Sequence, residues 1–118
     1  PRRVASGVDS RRLELLLAVL QKHGHLPIDT MDIYVNVAGG MKLSDPAADL
    51  GICLAIFSSL KGIQVNKTVG IAEVGLLGEL RTVPDFAKRS KEAKKLGFTN
   101  IIGTDKFKTL NQVLGKFT

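Results

Sequence analysis

The sequence predicts a mixed α/β (α+β) domain: one mixed sheet with helices packed on it, in the order α-β-α-β-β-α-β-α. Three observations carry this. Leu13, Leu16, Leu17 and Leu20 recur at the spacing of one helical face. "MDIYVNVA", residues 31–38, alternates and is rich in β-branched types. Glycine and proline fall between such segments as punctuation.

The elements follow in order. Residues 10–23 read as an amphipathic helix, stopped by Gly24 with Pro27 just beyond. Residues 31–38 read as a strand broken by Gly39-Gly40. The second helix spans 46–60, with Asp45 as N-cap and Pro46 in its first position. From Leu50 to Phe57 it is apolar on nearly every side, the mark of a buried helix. "TVGIAEV", 68–74, is a second strand, and a further strand runs to about Val83 after the turn flanked by Gly75 and Gly78. Pro84 opens a third helix, 84–96, which Gly97 stops. "FTNIIGT" is a short strand, and "KFKTLNQVLGKF" holds a last short helix with Leu110, Val113 and Leu114 on one face.

Composition narrows the class. A chain of 118 residues suits one domain, and 44% hydrophobic residues suffice for a core. With 5% aromatics and no Trp, that core is built from Leu, Ile, Val and Ala. Cys53 is the single cysteine, so no internal disulfide can form, and it reads as a small core residue. No apolar run reaches the ~18–20 residues of a membrane span, and no secretory signal is visible. The chain begins at Pro1 without an initiator Met and reads as a fragment of a longer protein.

The net charge of +6 is uneven. Residues 1–12 carry four Arg against one Asp, and residues 84–118 carry seven Lys and one Arg against three acids. The stretch between has seven acidic and five basic groups. Two basic ends around an acidic middle suit a polyanion-facing surface, and they equally suit simple solubility. At 100° per residue, Lys88, Lys91, Lys94 and Lys95 form one stripe about 120° wide on the third helix. Phe86, Ala93 and Leu96 lie opposite and should face the core. Arg89 falls among them, so it should be partly buried and paired with an acid such as Glu73 or Glu79. Arg2 and Arg3 sit in an extended lead, while Arg11 and Arg12 open the first helix, where the macrodipole disfavours cations. Phosphates, acids on a neighbouring subunit, or an upstream domain would each account for them.

"LSDPAADLG", 43–51, has the geometry of a nucleophile presented at a helix N-terminus, where free N–H groups stabilise an anion. The residues presented, Ala47 and Ala48, cannot act as nucleophiles. Ser44 lies before the cap and faces elsewhere. The plain alternative is an ordinary capped helix entry, with Asp49 well placed in its first turn. "HGH", 23–25, lacks the further ligands of a metal site. Gly39-Gly40 is not a Walker loop. Tyr34 is the only Tyr, and no aromatic interleaves with the lysines, so any nucleic-acid contact would be to phosphates without sequence preference.

Four stretches, in this order, carry a resemblance: "PRRVASGVDSRRLELLLAVLQKH", "VNVAGGMKLSDPAADLGICLAIFSSL", "EVGLLGELRTVP" and "KEAKKLGF". Together they resemble the C-terminal domain of the RadA (Sms) family of bacterial DNA repair proteins, which is similar to the proteolytic domain of Lon. Lon-type proteases use a Ser–Lys dyad, with the Ser in a Pro-Ser-Ala context at the start of the buried helix. The resemblance places that position on Ala47 in Pro46-Ala47-Ala48, with Lys88 as a possible counterpart of the dyad lysine. It implies a single Lon-protease-like domain over 1–118 with no protease activity. It also implies a longer chain whose upstream ATPase and zinc segments would hold ATP, Mg and Zn, with no cofactor in this fragment. The expected partners are single-stranded and branched DNA, further copies in a homo-hexameric ring and a recombinase, with no membrane, in a bacterial cytoplasm near the nucleoid. DNA phosphates would meet Arg2, Arg3, Lys88, Lys91, Lys94 and Lys95. A pure oligomerisation module, or a peptidase of unusual chemistry, are the alternatives.

Overall fold

A computed structural model describes residues 1–118. The elements run β1 (Arg3–Ser6), α1 (Ser10–Gly24), β2 (Ile33–Asn36), α2 (Asp49–Lys61), β3 (Thr68–Gly70), β4 (Glu73–Val74), β5 (Leu80–Arg81), α3 (Phe86–Lys95), β6 (Asn100–Ile102) and α4 (Leu110–Gly115). Short 3₁₀ turns precede β2 (Ile28–Thr30), follow it (Ala38–Gly40) and lead into α2 (Pro46–Ala48). The fold is a mixed α/β domain.

One core binds it. Leu13, Leu16, Leu17, Val19 and Leu20 of α1 meet Leu50, Cys53, Leu54 and Phe57 of α2, with Leu110, Val113 and Leu114 of α4. The leucine face of α1 and the apolar run Leu50–Phe57 of α2 supply most of this core. A smaller cluster joins Ile71, Ala93 and Ile101, flanked by Val69, Val83, Phe86 and Phe98. It anchors α3 to β3 and β6.

Several details differ from the sequence reading. The order gains a strand: Arg3–Ser6, read as a lead, pairs in parallel with β2 from Arg3↔Ile33 to Ser6↔Asn36. The strands do not join into one sheet. They form three pairs, β1–β2 parallel, β3–β6 parallel and β4–β5 antiparallel. The single strand expected over 68–74 is interrupted because Ala72 bonds elsewhere. Its N–H donates to Ala47 O and its C=O accepts from Leu50 N, each at 3.2 Å. The α1 helix includes Gly24, and the left-handed cap is His25 at φ 56°. The third helix starts at Phe86, after Asp85.

Leu96 is the clearest correction, since it is 77% exposed instead of facing the core. The chain reverses at Gly97 (φ 98°), and Phe98 folds back, its N–H donating to Ala93 O at 3.1 Å. Phe98 thus takes the place beside Ala93 that the helical wheel assigned to Leu96.

Candidate functional site

The turn into α2 is where three helices and one strand meet. Asp45 caps it: its carboxylate accepts the Ala47 N–H at 2.9 Å, and its carbonyl accepts the Ala48 N–H at 3.0 Å. Pro46 fixes the first helical φ, as expected of that position. Ala47 is only 6% exposed, and the Ala72 N–H reaches its carbonyl. A cleft of about 510 Å³ opens beside the turn, lined by Asp9, Arg12, Lys42, Ser44, Asp45 and Asp49 among others.

Two carboxylates four residues apart hold this turn. Asp45 Oδ2 lies 2.9 Å from a terminal nitrogen of Arg89, whose Nε also donates to Pro84 O at 2.9 Å. The Ala47 N–H, then Arg89, hold the Asp45 carboxyl below its ordinary pKa. Asp49 is 2% exposed and is the only buried charged residue. It accepts Arg12 Nε at 2.9 Å, a second Arg12 nitrogen, and the Val74 N–H at 3.0 Å. The hydrogen bond to Asp49 raises the Arg12 pKa in turn, against the opposing effect of partial burial. Glu73 adds a looser contact to Arg12 at 3.8 Å.

This arrangement answers two expectations. Arg89 is half-buried and paired with an acid, but the acid is Asp45, at the turn into α2. Glu79 pairs instead with Arg81 at 2.8 Å within the β4–β5 hairpin. Arg12 finds its partner inside the same chain, so its place at a helix N-terminus needs no phosphate or neighbouring subunit.

The sequence-derived candidates differ in their exposure. Ala47 is buried at the turn, while Lys88 is exposed on α3, where it is Arg89 that reaches the turn. Lys91, Lys94 and Lys95 are exposed with Lys88, and the ion pair among them, Lys95–Glu92, spans 3.7 Å between exposed groups. Arg2 is exposed. Arg3 is half-buried and its guanidinium donates to the carbonyls of Ile28 (2.7 Å) and Met31. These donors tie β1 to the segment that leads into β2.

For chemistry, the turn offers little. Ser44 is exposed on the rim of the cleft. Cys53 is fully buried, and burial pushes its thiol pKa well up, which leaves it an inert thiol. No group of three or more His, Cys, Asp or Glu converges to hold a metal ion. Sequence reasoning missed Asp49 as the hub of a buried ion pair. Its signal was a charge at the start of an otherwise apolar helix, a residue type almost never buried unless paired.

A family model described as "Subunit ChlI of Mg-chelatase" matches residues 9–106. The chain is 49% identical over 107 residues to the DNA repair protein RadA of Halalkalibacterium halodurans, covering 90% of this chain and 23% of that protein. It is 48% identical over 103 residues to RadA of Bacillus subtilis and 46% identical over 103 residues to RadA of Escherichia coli. Each of those two matches covers 86% of this chain and 22% of the relative. The chain thus spans less than a quarter of the length of these curated relatives. No helix is long and apolar enough to cross a membrane.

Proposed function

The chain belongs to the family described as subunit ChlI of Mg-chelatase and is related to the bacterial DNA repair proteins named RadA, and from that premise we propose that it is the Lon-protease-like, protease-inactive domain of a RadA-type DNA repair ATPase. In that role it scaffolds a homo-hexameric ring in the cytoplasm and offers DNA a basic, sequence-independent surface. The observation that carries the DNA surface is the exposure of Lys88, Lys91, Lys94 and Lys95 together on α3. Three of them have no acidic partner within ion-pair distance, and exposed lysines so grouped favour counterion release on phosphate binding. Arg2 can extend that surface, whereas Arg3 is held by carbonyls. Protease inactivity is supported by Ala47, a buried side chain without a nucleophilic atom at the capped turn.

ATP hydrolysis, and the Mg and Zn that go with it, belong in this reading to sequence outside residues 1–118. The family description also names magnesium chelation. The chain gathers no metal donor set, so we assign that chemistry no residue here.

The test is DNA binding by the whole protein across a salt series, with Lys88, Lys91, Lys94 and Lys95 changed together to Glu. If all four contact phosphates, the slope of log affinity against log salt should fall in magnitude by about 3 to 4 on duplex DNA. An unchanged slope and affinity would leave the domain a scaffold and assign DNA contact to the ATPase. Sedimentation of the same variant would show whether assembly depends on the stripe.

A further inference from the structure

A cavity of about 880 Å³ lies between two strand edges and over one face of α2. Its walls include residues 32–38 around β2 on one side and Thr68, Val69 and Gly70 of β3 on the other. Its floor includes Gly51, Ala55, Ser58 and Ser59 of α2, small side chains on one helical face, flanked by Ile52 and Ile56.

Both strand edges turn free backbone groups toward this groove. Ile33 N donates to Arg2 O at 2.8 Å and Val37 N to Ser6 O at 3.0 Å, so the odd-numbered residues of β2 bond to β1. Alternation then points the N–H and C=O groups of Tyr34 and Asn36 the other way. On β3, Asn100 N donates to Lys67 O at 2.9 Å and Ile71 N to Ile102 O at 2.8 Å. By the same alternation Thr68 and Gly70 point away from β6. Neither β2 nor β3 has a second strand neighbour.

Such an arrangement is incomplete in two respects. Unpaired strand edges are liabilities unless covered, and a two-stranded sheet is marginal alone. Moreover, α2 from Leu50 to Phe57 is apolar on nearly every side, a pattern that belongs to a helix covered all round, yet Ala55 on its groove face is exposed. The small floor residues leave room for the side chains of something laid over them.

We infer that this groove is the seat of one extended β-strand, supplied by the same polypeptide from outside residues 1–118. The strand pairs with Tyr34 and Asn36 on one edge and with Thr68 and Gly70 on the other. It joins the pairs β1–β2 and β3–β6 into one five-stranded sheet, and its alternate side chains, apolar ones, rest on Gly51, Ala55 and Ser59. The occupant is intramolecular because the groove is part of the domain's own core architecture, which requires permanent cover, and because the curated relatives carry more than three quarters of their length outside the matched region. The inference stands independently of DNA binding.

Hydrogen exchange on the whole protein, without DNA, tests it, together with a photo-crosslinking residue placed at the exposed Ser59 on the groove floor. The amides of Tyr34, Asn36, Thr68 and Gly70 should exchange on the order of 100-fold or more slower than unpaired amides. The crosslink should join Ser59 to a segment outside 1–118 in a product of monomer mass. Rapid exchange at the four amides overturns the inference. So does a dimer-sized product, which would make the occupant a second copy, or the absence of any product.

Discussion

Changing Arg12 to Ala should be among the most damaging single substitutions in this domain. Asp49 is 2% exposed and would keep only the Val74 N–H as a partner. Breaking one side of a buried pair costs about 3–5 kcal/mol, because the remaining charge is stranded. The Arg12 side chain is 30% exposed, so water reaches the site once the guanidinium is gone, and the lower end, about 3 kcal/mol, applies. For a domain of this size that corresponds to a drop in Tm of about 10–15 °C. Arg12→Lys keeps the charge but loses the fork that engages both Asp49 oxygens, so it should fall between. Replacing both partners, Arg12→Met with Asp49→Leu, should recover much of the loss, less about 1 kcal/mol for the orphaned Val74 N–H. Urea denaturation of the wild type and the three variants ranks these losses. A loss below about 1 kcal/mol for Arg12→Ala would mean that the pair is effectively solvated, and would refute the view of Asp49 as a buried hub.

Asp45→Ala removes a side-chain cap and the Arg89 partner, and should lower the urea midpoint in the same assay. The Asp45 carboxyl is held below its ordinary range, so its contribution is fully present above the ordinary value of about 4 and is lost as pH falls through the lowered folded value. Asp45→Asn should therefore flatten the acid limb of a stability–pH profile, and an unchanged limb would place the acid sensitivity elsewhere. Gly70→Ala would bring a Cβ to 2.9 Å from Leu50 and 3.1 Å from the Gly51 nitrogen. It should cost about 1–3 kcal/mol by overpacking, read as a lower urea midpoint at constant m-value. Ala47→Ser should not create a peptidase, since the α3 side chain at the turn is an ion-paired arginine and not a lysine. Turnover of an unfolded protein substrate by that variant would contradict this.

How much of this was legible in the sequence depended on whether the determinant was local. The leucine spacing of α1 and the Asp45-Pro46 entry to α2 are local signals, and both elements formed where those signals lay. β1 was not legible, because "RVAS" has one β-branched residue and becomes a strand by pairing with β2 thirty residues away. The interruption at Ile71-Ala72 was hidden inside an apolar run, since its cause is the bonding of Ala72 to Ala47 and Leu50. For Arg89, helical geometry gave partial burial and the need for an acid. It could not give Asp45, which is set by how α3 docks. Leu96 failed for a similar reason: the wheel assumes that the helix continues, and the reversal at Gly97 hands its place to Phe98. The exposure of the four lysines was legible from the wheel alone.

A turn shaped to present a nucleophile, yet carrying Ala47, needs no catalytic purpose to explain its geometry. Asp45 reaches out to Arg89 on α3, while Asp49 reaches in to Arg12 on α1 and to the Val74 N–H at β4. Between them, the Ala47 carbonyl and the Leu50 N–H clasp the two sides of Ala72. One turn and a half of backbone therefore ties α1, α3 and the β3–β4 segment to α2. A larger polar side chain at position 47 would enter a site that is 6% exposed and already crossed by these bonds. The small residue suits a clamp as well as it disqualifies a nucleophile. In this domain the N-terminal end of α2, with its bonded N–H groups and its paired carboxylates, works as the joint of the fold.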